Sequence, residues 1–168
     1  MTASAPTTGR VWTFGDRVSV EYISPLRYMF QPEGRGTACL KYLDREFAAA
    51  EKNGDLIVAG SHFGQGPGHD HAILAIREAG VAGVVAHSFA PQFFRHAIVH
   101  GLPVAECPGI LDLVGPGDVL TMDFATGEGR NDTTGRPVSA TVPGGIAADI
   151  VGRGGLLPFL RNELSTSR

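Results

Sequence analysis

Apolar and polar positions along the chain change register in a way that predicts strands and helices in turn. Residues 10–14 read as a first strand, after an opening run of Thr, Ala, Ser and Pro whose composition predicts a frayed start over residues 1–9. From Gly15 to Thr37 the chain is rich in Gly, Pro and charge, with Ser24-Pro25 and Gln31-Pro32-Glu33-Gly34 as turn signals, so a long shaped loop is expected. Loops of that length inside a compact domain are usually functional. Leu40, Leu43 and Phe47 are spaced to build one apolar helical face, which predicts a helix over residues 40–52, ended by Asn53-Gly54.

The middle of the chain alternates between the two element types. Residues 55–59 read as a buried strand, 70–79 as a helix closed by Gly80, and 81–86 as the next strand. Ser88 is placed to cap a helix running to His100, and residues 102–105 supply another strand. Strand, helix, strand, helix, strand implies parallel neighbours, because each return requires a crossover. Residues 119–124 and 138–142 then read as a hairpin around a polar tip containing Gly127, Gly129, Asn131 and Gly135. Residues 146–151 have helical spacing, broken at 152–155 before an apolar closing segment, 156–160. The predicted fold class is therefore α/β: one domain over residues 1–168, with a mixed, mostly parallel sheet, packed helices and a C-terminal β-hairpin.

Length and composition fit that reading and narrow the function. A chain of 168 residues that is 43% hydrophobic and 18% charged, at net charge −3, describes a globular protein. Its Lys and Arg are scattered, so neither nucleic acid nor an anionic membrane surface is an expected partner; small neutral or anionic molecules fit better. Apolar runs are too short to span a bilayer and residues 1–10 lack a signal-peptide core, so a cytoplasmic location is expected. The two cysteines, Cys39 and Cys107, match no CxxC, zinc or cluster spacing, and no metal held by this chain is expected.

Candidate chemistry concentrates in Gly60-Ser-His-Phe-Gly-Gln-Gly-Pro-Gly-His-Asp-His71, which joins a buried strand to a helix start. Gly64, Gly66 and Gly68 let backbone approach a ligand closely. The unpaired amides and positive dipole end of the helix favour an anion, so a carboxylate or phosphate is implied. As a dinucleotide fingerprint the stretch is incomplete, since position 69 is His rather than the third glycine. His62, His69 and His71, with Asp70 among them, have three open readings: direct substrate or proton-transfer roles, metal ligation, or structural pairing with Asp70.

Residues 9–28, GRVWTFGDRVSVEYISPLRY, resemble the opening of isopropylmalate dehydratase small subunits. The likeness continues through DLIVAGSHFGQGPGHDHA at 55–72 and AGVAGVVAHSFAPQFFRHAIVHGLPV at 79–104. It extends through GDVLTMDFATGE and NDTTGR to Gly154-Gly155-Leu156, covering nearly the whole chain. The resemblance implies a fold like the swivel domain of aconitase, a mixed sheet with helices packed on it. It implies a large partner subunit carrying a [4Fe-4S] cluster whose open iron is the Lewis acid, with no cofactor in this chain. The implied activity is that of a hydro-lyase subunit, dehydratase or isomerase, acting on a hydroxylated di- or tricarboxylic acid such as an alkylmalate and active only with its large subunit.

Departures from the family pattern redirect the site assignments. Members usually read Gly-x-Gly-Ser-Ser-Arg-Glu-His in the loop, with a serine base and an arginine that binds a substrate carboxylate. Here the stretch is Gly64-Gln65-Gly66-Pro67-Gly68-His69-Asp70-His71. Neither Pro67 nor Gly68 can be a base, and His69 stands in place of arginine. His69 becomes the expected base, since neutral imidazole is competent near pH 7, with His71 or a residue of the large subunit as the fallback and Asp70 beside them. Gly64, Gln65, Gly66, Pro67 and Gly68 are expected around the substrate. Glu21 is the acid kept in the loop after the first strand, Phe30 suits an apolar substituent, and Arg27 and Arg35 are the nearest cations for a carboxylate. A different class of reading is a non-catalytic regulatory or scaffolding paralogue that keeps the fold and the partner interface.

Overall fold

The computed structural model describes residues 5–30, 33–67 and 69–166. Its framework is one seven-stranded sheet. β1 (Thr7–Phe14), β2 (Leu56–Ala59), β3 (Gly83–Ala86) and β4 (Val104–Glu106) run parallel, with Trp12 opposite Ile57, Ile57 opposite Val84 and Val84 opposite Val104. On the other side of β1, β5 (Val119–Met122), β6 (Glu128–Asn131) and β7 (Pro137–Ser139) continue the sheet antiparallel. β1 joins the halves because its eight residues serve both: Val11 to Phe14 pair with β2, while Thr7 to Arg10 pair with β5.

Strand alternation sorts the core onto two faces. On one face Trp12, Phe14, Ile57 and Val84 pack against α4 (His69–Glu78) and α5 (Pro91–Val99), whose Ile73, Ile76, Phe93 and Ala97 are buried with them. On the other, Val11, Leu56, Val58 and Val85 meet Ile110 of α6 (Ile110–Leu113) and Leu120, Met122 and Val138 of the antiparallel strands. Covering both faces explains why β2 and β3 are apolar and buried at every position. Each fully buried Ile or Phe contributes about 1.5–3 kcal/mol relative to exposure. α7 (Ile146–Gly152) and α8 (Leu156–Thr166) pack along α5.

The mixed α/β architecture matches the expectation, and several boundaries move. Thr7, Thr8 and Gly9 are not frayed but paired with Met122, Thr121 and Leu120. Inside the expected long loop lie two one-turn helices, α1 (Val20–Ile23) and α2 (Arg27–Phe30); the Gln31-Pro32 part of its turn signal lies outside the described residues. A helix over 40–52 does not form. Leu40 adopts φ 55°, a left-handed conformation that interrupts a helix, and Leu43 is 44% exposed rather than part of an apolar face. Only α3 (Arg45–Ala49) remains, capped by Asp44, whose Oδ1 accepts from the Phe47 amide at 2.9 Å. The cap of α5 is Ala90 followed by Pro91, not Ser88. The expected hairpin is a three-strand meander, because the polar tip itself contains β6. The apolar closing segment is the start of α8.

Candidate active site

Backbone hydrogen bonds set the loop after β2 between two other segments. On one side it meets the chain leaving β1: the Ser61 amide donates to Asp16 Oδ1 at 2.7 Å, the Arg17 amide to Ser61 O at 2.7 Å, the Gly64 amide to Val18 O at 2.8 Å and the Val20 amide to Gln65 O at 2.9 Å. On the other side it meets the chain leaving β3. The His62 amide donates to Ser88 Oγ at 3.0 Å, the Phe63 amide to Ser88 O at 3.1 Å and the Ala90 amide to Phe63 O at 2.9 Å. Isolated bridges pair Ser19 with Gln65 and Phe63 with Phe89. The loop is thus held as a ribbon beyond the ends of the parallel strands, where open α/β sheets bind ligands.

Two glycines are required by close approach. A β-carbon at Gly60 would lie 2.1 Å from Asp16 Oδ1, and one at Gly64, where φ is +82°, would lie 2.2 Å from the ring of Phe93. The Ser61 amide holds the Asp16 carboxyl below the usual carboxylate range, with further help from the Ser61 hydroxyl, His87 and Arg17. Arg17, in the segment leaving β1, and His62, in the ribbon, both sit at φ 55°, left-handed conformations in residues other than glycine.

The expected site residues fall at different places around the loop. Gln65, Gly66 and Pro67 are exposed directly ahead of α4; Gln65 also donates from Nε2 to Arg17 O at 3.3 Å. Gly68 lies outside the described residues, and His69 opens α4. His71 is buried, at 6% exposure. Glu21, in the first turn of α1, is brought beside the ribbon through the Val20 to Gln65 bond, and it lines a shallow hollow with Ser19, Tyr22, Pro25, Leu26 and Tyr42. Phe30, at the end of α2, is 83% exposed. Arg27 lies over the Tyr28 ring, 4.7 Å from its centroid, and donates to Tyr28 Oη at 2.7 Å.

Two expected residues point elsewhere. Arg35 forms a bidentate pair with Glu78, the last residue of α4, roughly 14 Å along the helix axis from His69, so it does not join the loop. Asp70 turns onto α5, where its Oδ1 takes hydrogen bonds from His96 Nδ1 and from His100 Nε2, the latter at 2.9 Å. The His96 contact, then that of His100, keeps the Asp70 carboxyl below its usual range.

Asp16, Phe93, His96 and His100 are not singled out as site residues by sequence, and Ser88 is named there only as a helix cap, although each anchors or borders the loop. Only the His96-x3-His100 spacing carried a signal, two imidazoles one helical turn apart. Cys39 and Cys107 lie in the cores on opposite faces of the sheet, and burial pushes both thiols up, so they do not fit as ligands of an iron–sulfur cluster.

Residues 22–105 match the Aconitase C-terminal domain family. The isopropylmalate/citramalate isomerase small subunit of Methanocaldococcus jannaschii is 39% identical over 162 residues, covering 95% of this chain and 96% of that protein. The 3-isopropylmalate dehydratase small subunit of Aquifex aeolicus is 40% identical over 161 residues, covering 94% and 96%. The crystal structure of 3-isopropylmalate dehydratase from Methanocaldococcus jannaschii superposes with a TM-score of 0.91 at 30% identity, covering 97% of this chain and 98% of that one. The chain belongs to the family of 3-isopropylmalate dehydratase small subunits.

Proposed function

We propose that this chain is the small subunit of a hydro-lyase that removes water from, or returns it to, a hydroxylated di- or tricarboxylic acid such as an alkylmalate, in complex with a large aconitase-type subunit. One observation carries the reading. The ribbon from Gly60 is clamped on both sides through its backbone, yet leaves Gln65, Gly66 and Pro67 exposed at the start of the ten-residue helix α4. First-turn amides have no intrahelical acceptor and sit at the positive dipole end, so a substrate carboxylate is favoured there. The names of the relatives support an alkylmalate-type substrate and a second, large chain. Among the described residues no helix is long and apolar enough to cross a membrane.

The reaction takes a proton from the carbon beside a carboxylate and expels hydroxide from the neighbouring carbon, leaving an alkene acid and water. A [4Fe-4S] cluster in the large subunit supplies the Lewis acid for hydroxide departure. His69, at the mouth of the ribbon, takes the proton on neutral imidazole, and His71 is the second candidate. Glu21, held near the ribbon by the Val20 to Gln65 bond, serves as a polar contact, Arg27 of α2 serves as a cation for the carboxylate, and the exposed ring of Phe30 suits the apolar substituent of the acid.

Anaerobic co-expression with the large subunit tests the proposal, following the conjugated alkene acid by ultraviolet absorbance across a panel of alkylmalates. Turnover is expected, and His69→Ala should lower kcat by about a hundredfold or more with the complex intact. A stable complex with an intact cluster that turns over no acid on the panel would instead indicate a non-catalytic subunit.

A further inference from the structure

Next to the glycine ribbon, the facing surfaces of α4 and α5 carry three donors of metal-ligand type. Asp70 stands in the first turn of α4, His96 in the last turn of α5, and His100 caps that helix. His96 and His100 are separated by four positions, which puts both imidazoles on one side of the helix, as in paired-histidine zinc motifs. One ligand atom from each of Asp70, His96 and His100 lies within 4.8 Å of the other two.

We propose that Asp70, His96 and His100 form a binding site for a divalent transition ion of the zinc class. Two imidazole nitrogens and one carboxylate oxygen are a borderline donor set suited to such an ion rather than to Mg2+ or Ca2+. Around a tetrahedral zinc, with bonds of about 2.0–2.2 Å, ligand atoms stand roughly 3.3 Å apart. His100 Nε2 is already 2.9 Å from Asp70 Oδ1, so small side-chain rotations open the space an ion needs. Asp70 is 62% exposed along its side chain, with His96 at 39% and His100 at 26%, so an ion has a direct route in and a fourth position is open to water.

The site has a structural consequence that is separate from the proposed activity. Asp70 belongs to the first turn of α4, directly after the ribbon, while His100 ends α5 and its carbonyl already accepts from Arg77 Nη1. An ion bridging the three residues ties the start of α4 to the end of α5 and raises the melting temperature by mass action.

The test uses the whole purified chain and Zn2+ itself, in competition with a chromophoric chelator. Single-site uptake is expected, with His96→Gln and His100→Gln each weakening it by at least roughly tenfold. Glutamine can still donate a hydrogen bond to Asp70, so a merely structural role for the histidines survives these changes while ion binding does not. Co2+ provides a second readout, because its visible absorption in a nitrogen- and oxygen-ligated site should disappear in the double variant. The proposal fails if the wild-type chain takes up no stoichiometric Zn2+, or if uptake and the Co2+ spectrum are the same in the double variant.

Discussion

Gly64 lies so close to Phe93 that a β-carbon at position 64 would stand 2.2 Å from the aromatic ring. Phe93 is fixed in turn by an edge contact to Phe63 and by stacking on Phe89, with centroids 5.3 and 5.9 Å away. The glycine ribbon therefore rests on an aromatic cluster that belongs to α5 and to the segment leaving β3.

Gly64→Ala should for this reason destabilise the chain by about 2–4 kcal/mol, combining an overpacked contact with a side chain forced to φ +82°. Phe93→Ala alone should cost about 3–5 kcal/mol through the cavity it leaves. Because the alanine at 93 makes room for the methyl at 64, the double variant should lose measurably less than the sum. Urea denaturation of the four proteins checks this, and simple additivity would mean that the ring is not what the methyl strikes.

A second prediction concerns Asp16, whose carboxyl is held below its usual range by the Ser61 amide. A carboxyl with a lowered folded-state pKa contributes stability that is present above its unfolded value, near pH 4, and lost as pH falls through the folded value. Asp16→Asn removes that contribution. The gap in melting temperature between wild type and variant should be largest above about pH 5 and should close towards about pH 3. A gap that stays constant over this range would show that the bond matters through geometry alone.

Legibility in the sequence followed the source of each element's stability. β2 and β3 were readable because burial on both faces leaves an uninterrupted apolar run. β6, reading Glu-Gly-Arg-Asn, has no apolar pattern and is a strand only because β5 and β7 pair with it. The failed helix over 40–52 shows the converse. Its apolar spacing was present, but Leu40 is buried through a left-handed turn and Leu43 faces solvent. At the site, glycine spacing marked the ribbon, whereas its supports, Asp16, Ser88 and Phe93, come from segments that only the fold brings together. The resemblance supplied the chemistry expected there, and it could not reveal that Asp70 turns to His96 and His100 and that Arg35 is engaged by Glu78.

The meander offers the last prediction. Asn131, the final residue of β6, is fully buried and uses its whole amide. Nδ2 donates to Leu113 O at 3.0 Å and to Asp118 Oδ2 at 2.7 Å, while Oδ1 accepts from the amides of Thr133 at 3.0 Å and Thr134 at 3.2 Å. Asn131→Leu keeps the branched shape, though with bulkier methyl groups, and leaves those partners unmatched, so it should cost about 2–3 kcal/mol. Asn131→Asp keeps an acceptor for the two threonine amides but turns a donor into a carboxylate facing Asp118, whose own carboxyl is held ionised by the Gly115 amide and then by Asn131. Two facing carboxylates repel until one takes a proton, so this variant should recover stability as pH falls from neutrality, opposite in sign to the loss at Asp16. Denaturant unfolding of both variants at about pH 7 and about pH 5 separates the effects: the leucine deficit should hold steady, and the aspartate deficit should shrink.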